Sequence, residues 1–321
     1  MQPGFDCFQF DMKRYIYCDI SIESEIDLPG LCVSDDRDPI IFFRVDNSGH
    51  SMTVDSSWQQ VELGEGGFIS YAEMPEKDLH CLIFENLATF RIRNGFKDII
   101  CNPAPTSSPN TVLHLLLDQV LPRVLSARGK LMLHGSCIEH PKGVVIFAGT
   151  TGAGKSTLAA HFSRCGFPLL SDDGLQLKQD AGNVKVIPTY PGLRLWEDSI
   201  AEFYDHDHVG EPMAHYSSKK RVVFEKSMHM DEQPALCLLF IRPQPPVILP
   251  TISRIVNREA FFELNKQVFI LDPFSREKTI SRIKAIAELV SHLPMYALRI
   301  PHDYSMLDQV QKTVLEMVET L

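Results

Sequence analysis

The 321-residue chain is 44% hydrophobic and 22% charged, with a net charge of −10 at pH 7. That acidity argues against a nucleic-acid partner, which calls for a basic face to displace counterions; the densest cationic cluster is Lys219-Lys220-Arg221. The longest apolar runs, such as residues 235–241, fall well short of the ~20 residues that span a bilayer. The N-terminus carries an early acid and no apolar stretch of signal-peptide length. A cytoplasmic protein with no membrane partner is expected.

Residues 1–105 read as a β-rich N-terminal domain, a candidate docking surface for a substrate. Residues 15–22 alternate in part, and residues 40–45 form a compact apolar run. Short strands are expected at 82–84 and 90–92. Asn94-Gly95 marks a hairpin, because both residues tolerate positive φ. Pro103 to Pro109 reads as a linker. A helix over 110–127 follows, with Asn110 as N-cap, Gly129 beyond its end, and a kink or break at Pro122.

Residues 106–321 turn to an α/β pattern. Strands are expected at 131–138 and 144–148, a helix at 156–165, and a buried strand at 167–171 that ends in two aspartates. Further strands are expected at 184–187, 235–241, 268–271 and 296–300, with helices at 276–293 and 305–319. Eight cysteines are scattered without a C-x-x-C pair, the pattern of reduced cytosolic thiols. Cys137 and Cys165 lie in apolar sequence and read as buried small hydrophobes.

Gly149, Thr150, Thr151, Gly152, Ala153, Gly154, Lys155 and Ser156 fit G-x-x-x-x-G-K-[ST] at every fixed position, with Thr157 next. The segment follows an apolar strand and opens a helix, the context this motif requires. Its glycines let backbone N–H groups face phosphate oxygens, and the helix adds its positive end. Lys155 supplies charge to the β- and γ-phosphates, and Ser156 is the usual Mg²⁺ ligand. ATP and Mg²⁺ are therefore the expected ligands.

Asp172 and Asp173 stand at the carboxyl end of a strand, where ligands gather in open α/β sheets. One carboxylate can hold Mg²⁺ while the other accepts the proton of an attacking hydroxyl. On its own residues, His134 in Leu-Met-Leu-His-Gly is a core histidine. Arg194 can contact phosphate or a carboxylate bidentately. Lys219, Lys220 and Arg221 can close over a triphosphate. Residues 204–208, Tyr-Asp-His-Asp-His, read as a polar loop rather than a metal site.

A strand with His134-Gly135, a short turn, a second strand, the phosphate loop, a helix and then Asp172-Asp173 together resemble the catalytic domain of HPr kinase/phosphorylase. The fold this implies is an α/β, HPr-kinase/PEP-carboxykinase-like P-loop domain, here preceded by the smaller β-rich domain. The resemblance makes Asp172 the base for the acceptor hydroxyl, gives Asp173 and Ser156 to Mg²⁺, and sets His134 beside the aspartates and phosphates. Thr150 stands where the family carries an acid, and the segment 190–198 (Tyr-Pro-Gly-Leu-Arg-Leu-Trp-Glu-Asp) stands in place of its downstream signature. More loosely, the whole-chain layout resembles HPr-kinase-like enzymes that phosphorylate the C-terminal serine of lasso-peptide precursors. The expected function is an ATP·Mg²⁺-dependent serine kinase acting on a peptide or small protein, with a homo-oligomer open. The rival readings are a non-catalytic nucleotide sensor and a small-molecule P-loop kinase.

Overall fold

A computed structural model describes residues 12–34, 38–48, 58–63, 67–204, 211–214, 217–223, 231–243 and 249–321. It is a mixed α/β structure with two nine-stranded sheets and one of three strands. Residues 205–208, where the acid–histidine run lies, fall outside the described set.

The first sheet draws all of its strands from residues before 104, between Lys13–Tyr17 and Asp98–Pro103. The only helical turn there among the described residues is Pro75–Lys77. The hairpin expected at Asn94-Gly95 forms between Ala88–Arg93 and Asp98–Pro103, with Arg93 opposite Asp98. Its loop is four residues long rather than two, because Phe96 joins Asn94 and Gly95 at positive φ. That conformation stacks the Phe96 ring on His80, with centroids 4.6 Å apart.

Alternate residues of this sheet, including Ile22, Phe43, Phe90 and Ile99, face inward onto the helical segment 109–127. Val112, Leu116, Leu117, Val120 and Leu121 meet them in one core. The Tyr17 hydroxyl also donates to the Leu117 carbonyl at 2.8 Å. The boundary expected at 105 falls between sheet and helix, and this core continues across it to Met132, Ile187 and Tyr190.

The helix cap lies two residues before the expected Asn110. Ser108 is the cap, accepting from the Thr111 amide, and Pro109 opens the helix, since its missing N–H costs nothing there. The segment has three parts: α over Pro109–Leu115, π over Leu116–Val120 and α over Leu121–Ala127. Pro122 is the cause of the wide turn. It offers no N–H to the Asp118 carbonyl, and its ring crowds that oxygen. The helix thus departs from regular geometry just before the residue where a kink or break was expected, by widening rather than ending.

The second sheet is centred on parallel strands Gly143–Ala148, Gln233–Pro243 and Met295–Ile300. Val144, Ile146, Leu238 and Phe240 pack on helices Asn257–Gln267 and Arg276–His292 through Leu264, Ile286 and Leu289. Val145, Phe147, Leu239 and Leu298 face the other way, onto helices Lys155–Arg164 and Leu307–Glu319. Side chains alternate along a strand, so strands covered on both faces read as unbroken apolar runs.

Three expectations for this region need correction. Residues 131–138 form two strands, Leu131–Leu133 and Gly135–His140, which take different neighbours. The chain breaks at His134, which leaves the line of both strands. Residues 268–271 are no strand; Val268 makes a single bridge to Leu133. Cys165 is exposed just past the end of its helix, whereas Cys137 is buried as expected.

The small sheet orders Gly192–Leu195, Ser217–Val223 and Glu211–Ala214, none of them anticipated. Its register places Arg194 opposite Arg221. Among the described residues, no helix is long and apolar enough to cross a membrane.

Candidate active site

The segment expected to cradle phosphate, residues 149–154, joins strand Gly143–Ala148 to helix Lys155–Arg164. Gly149, Gly152 and Gly154 all take positive φ, which a side chain strongly disfavours. The Ala153 amide turns back to the Thr150 carbonyl at 3.1 Å. Helix Lys155–Arg164 has Gly154 at its cap position and no capping side chain. Its first N–H groups therefore lack the usual internal partner and suit an anion. The Lys155 ammonium is buried and donates to the Gly149 and Thr150 carbonyls at 2.9 and 3.2 Å. Burial pulls its pKa below the ordinary lysine value, with Asp173 and Asp172 opposing the shift. The Thr157 hydroxyl lies 3.4 Å from that of Ser199, so its side chain serves helix Glu197–Phe203.

Strand Leu169–Ser171 delivers the aspartates. Asp172 is buried, and every oxygen is engaged. Oδ1 accepts from the Ser136 hydroxyl and, at 2.9 Å, from Ser156; Oδ2 accepts from the Arg194 amide at 3.1 Å. Burial and the neighbouring Asp173 charge raise its pKa. Asp173 sits at φ 60, which turns it away from its neighbour. It is partly exposed, meets Arg194 Nη1 at 2.6 Å and stands 3.8 Å from His134 Nε2. Burial pushes its pKa up, but Arg194, His134 and Lys155 together hold it well below the carboxylate range. Ser156 thus hydrogen-bonds Asp172, whereas the family resemblance gave Ser156 and Asp173 to Mg²⁺.

His134 is held in the cluster by the strand break and by its amide, which donates to the Gln267 carbonyl at 2.7 Å. Burial, followed by the Lys155 charge, lowers its pKa to about 4. At neutral pH its ring is uncharged.

Arg194 is buried rather than presented to a ligand. One side of its guanidinium meets Asp173 and the Asp172 carbonyl; the other meets Asp118 and the Tyr190 hydroxyl. Its guanidinium bridges carboxylates, where a direct contact with phosphate or substrate was expected. The three expected basic residues also part company. Lys220 pairs at the surface with Glu197 at 3.2 Å. Lys219 and Arg221 share the opposite strand face, by the two-residue period. Lys219 stacks over Trp196, 4.8 Å from its centroid, and is close enough to lower the pKa values of Lys155 and Asp173. Arg221 is buried, 3.6 Å from Asp118.

Asp118 and Ser136 escaped the sequence reading, and Tyr190 entered it only as the first residue of the segment 190–198. A signal existed for the first: His114 and Asp118 stand one helical turn apart in a largely apolar segment, and their side chains meet at 2.7 Å.

The donor set fits a nucleotide with a hydrated Mg²⁺. Mg²⁺ binds through one or two carboxylates plus phosphates and waters, without a dedicated protein cage. The Ser156–Asp172 pair supplies that minimum beside an uncapped helix start. Among the described residues there is no cluster of three His, Cys, Asp or Glu that could hold a metal by itself.

No protein-family model matches the chain, and no curated protein matches it in sequence. Among solved structures, the chain has a likeness to one described as the Hpr(Ser) kinase/phosphatase from Coxiella burnetii. That match has a TM-score of 0.32 and 12% identity, covering 59% of this chain and 97% of the other. At such a score it decides neither fold nor activity.

Proposed function

We propose that this chain is an ATP·Mg²⁺-dependent phosphotransferase. The single observation that carries the reading is the 2.9 Å hydrogen bond between Ser156 and Asp172. It joins the phosphate loop to a strand-end carboxylate, the pairing a metal–nucleotide site needs. A bare glycine turn has no use for a buried acid at its serine.

MgATP supplies the phosphoryl group and the metal charge. In this proposal Ser156 and Asp172 hold the metal side, and Lys155 holds phosphate oxygens. Asp173 faces the acceptor, orients its hydroxyl and takes its proton. That assignment differs from the sequence reading, because both oxygens of Asp172 are already engaged while Asp173 is partly exposed. Its depressed pKa keeps it ionised. A weak base suffices where the transition state is loose and positioning dominates.

The acceptor we propose is a serine hydroxyl of a peptide or small protein, the C-terminal serine of a lasso-peptide precursor being one candidate. This finer step rests on the motif order His134-Gly135, loop, Asp172-Asp173. The test is transfer of labelled γ-phosphate from MgATP to serine peptides by the full chain. Label on serine supports the reading. Label on a small molecule redirects it to a small-molecule kinase. Tight ATP binding with no ADP formed under any acceptor would leave only a nucleotide sensor.

A further inference from the structure

Arg194 reaches Asp173 from a guanidinium whose far side is already held. That far side ends at Asp118, a carboxylate with 1% side-chain exposure, in the π-wound segment Leu116–Val120. Asp118 Oδ1 receives Arg194 Nη2 and, at 2.6 Å, the Tyr190 hydroxyl. Asp118 Oδ2 meets His114 Nδ1 at 2.7 Å and lies 3.6 Å from Arg221. The Tyr190 hydroxyl also accepts from Arg194 Nη2, which closes a triangle around that nitrogen.

Buried ion clusters of this kind are poor sources of stability, because desolvation offsets their attraction and apolar residues of similar volume serve as well. What they fix is direction. A guanidinium is planar, so holding Nη2 fixes where Nη1 points. Here Nη1 points to Asp173 Oδ2 at 2.6 Å. The wide turn caused by Pro122 is local to the residue that does the holding.

We infer that Asp118 is a positioning residue for the phosphotransfer site: it holds Arg194 so that the guanidinium fixes the Asp173 carboxylate in place. This inference rests on the phosphotransferase reading for its kinetic consequence, though not for its structural one. Asp118 is buried, with 1% side-chain exposure. It acts through Arg194, and Tyr190 locks the contact.

The test uses the full chain and three variants: Asp118→Asn, the charge-compensated Asp118→Asn with Arg221→Gln, and Tyr190→Phe. The first readout is arginine side-chain NMR, with Arg194 assigned by comparison with Arg194→Lys. In the wild type the two Nη groups should give separate signals, because rotation is blocked. In Asp118→Asn, or in the compensated variant if the single change fails to fold, they should average. The second readout separates binding from turnover. ATP affinity should stay within about 2-fold, while ADP formation falls by about 10²-fold, the scale of a misplaced catalytic group. Tyr190→Phe should lie between. A third arm adds guanidinium to Arg194→Ala. Turnover should recover with Asp118 present and stay lost when Asp118→Asn is added.

Separate Nη signals persisting in the Asp118 variants overturn the inference. So do unchanged turnover, or equal losses of affinity and turnover, which mark a purely structural role. If the wild type forms no ADP, the phosphotransferase reading fails, and the NMR result still decides whether Asp118 holds Arg194.

Discussion

Ser156 Oγ donates to Asp172 Oδ1 across 2.9 Å, linking the first turn of helix Lys155–Arg164 to a strand end 16 residues away. The same oxygen receives Ser136 from a third element. Three segments therefore converge on one buried carboxylate beside the loop. The predictions below follow from that convergence.

Lys155→Met should weaken MgATP binding by roughly 10- to 100-fold, the loss of charge-assisted contacts worth about 1.5–3 kcal/mol. The measurement is calorimetric titration with Mg²⁺ in excess. MgATP at 100 times its dissociation constant should stabilise the wild type by about 2.7 kcal/mol and stabilise this variant far less. Chelating Mg²⁺ should abolish turnover without lowering the melting temperature of the nucleotide-free protein.

The two aspartates should separate kinetically. Asp172→Asn should raise the Mg²⁺ concentration needed for half-maximal turnover. Asp173→Asn should keep Mg²⁺ and ATP affinity and lose about 10²-fold or more in turnover, the usual scale for a removed base. If instead Asp172→Asn abolishes turnover with Mg²⁺ dependence intact, the roles are those first expected from the sequence.

His134 gives stability a predictable pH dependence. Folded, it stays neutral down to about pH 4, whereas the unfolded residue takes a proton near 6.5. Between those values the unfolded chain binds more protons, so stability falls as pH falls. The contribution is fully present above about 6.5 and is lost towards 4. Its size is roughly 1–3 kcal/mol. Urea unfolding at several pH values should show a flatter profile in this window for His134→Gln.

Neighbouring lysines on opposite strand faces should differ. Lys219→Ala should lower turnover, because its charge acts on Lys155 and Asp173. Lys220→Ala should leave turnover unchanged and alter stability by less than about 1 kcal/mol, as for a surface pair. Equal effects in steady-state assays would contradict the division of the two faces.

The loop glycines should rank by their surroundings. Gly149 has φ +147, and an added Cβ would lie 2.9 Å from the Ile241 carbonyl oxygen. Gly152 has φ +79 but open space around it. Gly152→Ala should cost about 1–2 kcal/mol of stability, from backbone strain alone. Gly149→Ala should cost more, since strand Gln233–Pro243 must also shift. Denaturant midpoints would show this order or its reverse.

What the sequence by itself determined is what lies within a few residues of itself. The glycine turn that opens helix Lys155–Arg164 was legible because glycine φ values and a helix start are local properties. The parallel strands were legible because burial on both faces leaves continuous apolar runs. The Asn94-Gly95 hairpin and the disturbance at Pro122 were legible for the same reason: each depends on the backbone of a few adjacent residues. Only the tertiary structure decided which charges meet. Arg194 and Asp118 are 76 positions apart, and Tyr190 and Asp118 are 72 apart. No periodicity links them. The small sheet carrying Arg194 and Arg221 is short and partly polar, so it left no pattern to read. The partners of Asp172 and Asp173 were settled by a left-handed turn at Asp173 and by packing of separate elements around it. Coulomb attraction in a buried site acts through space and not along the chain, so the pairing belongs to the fold.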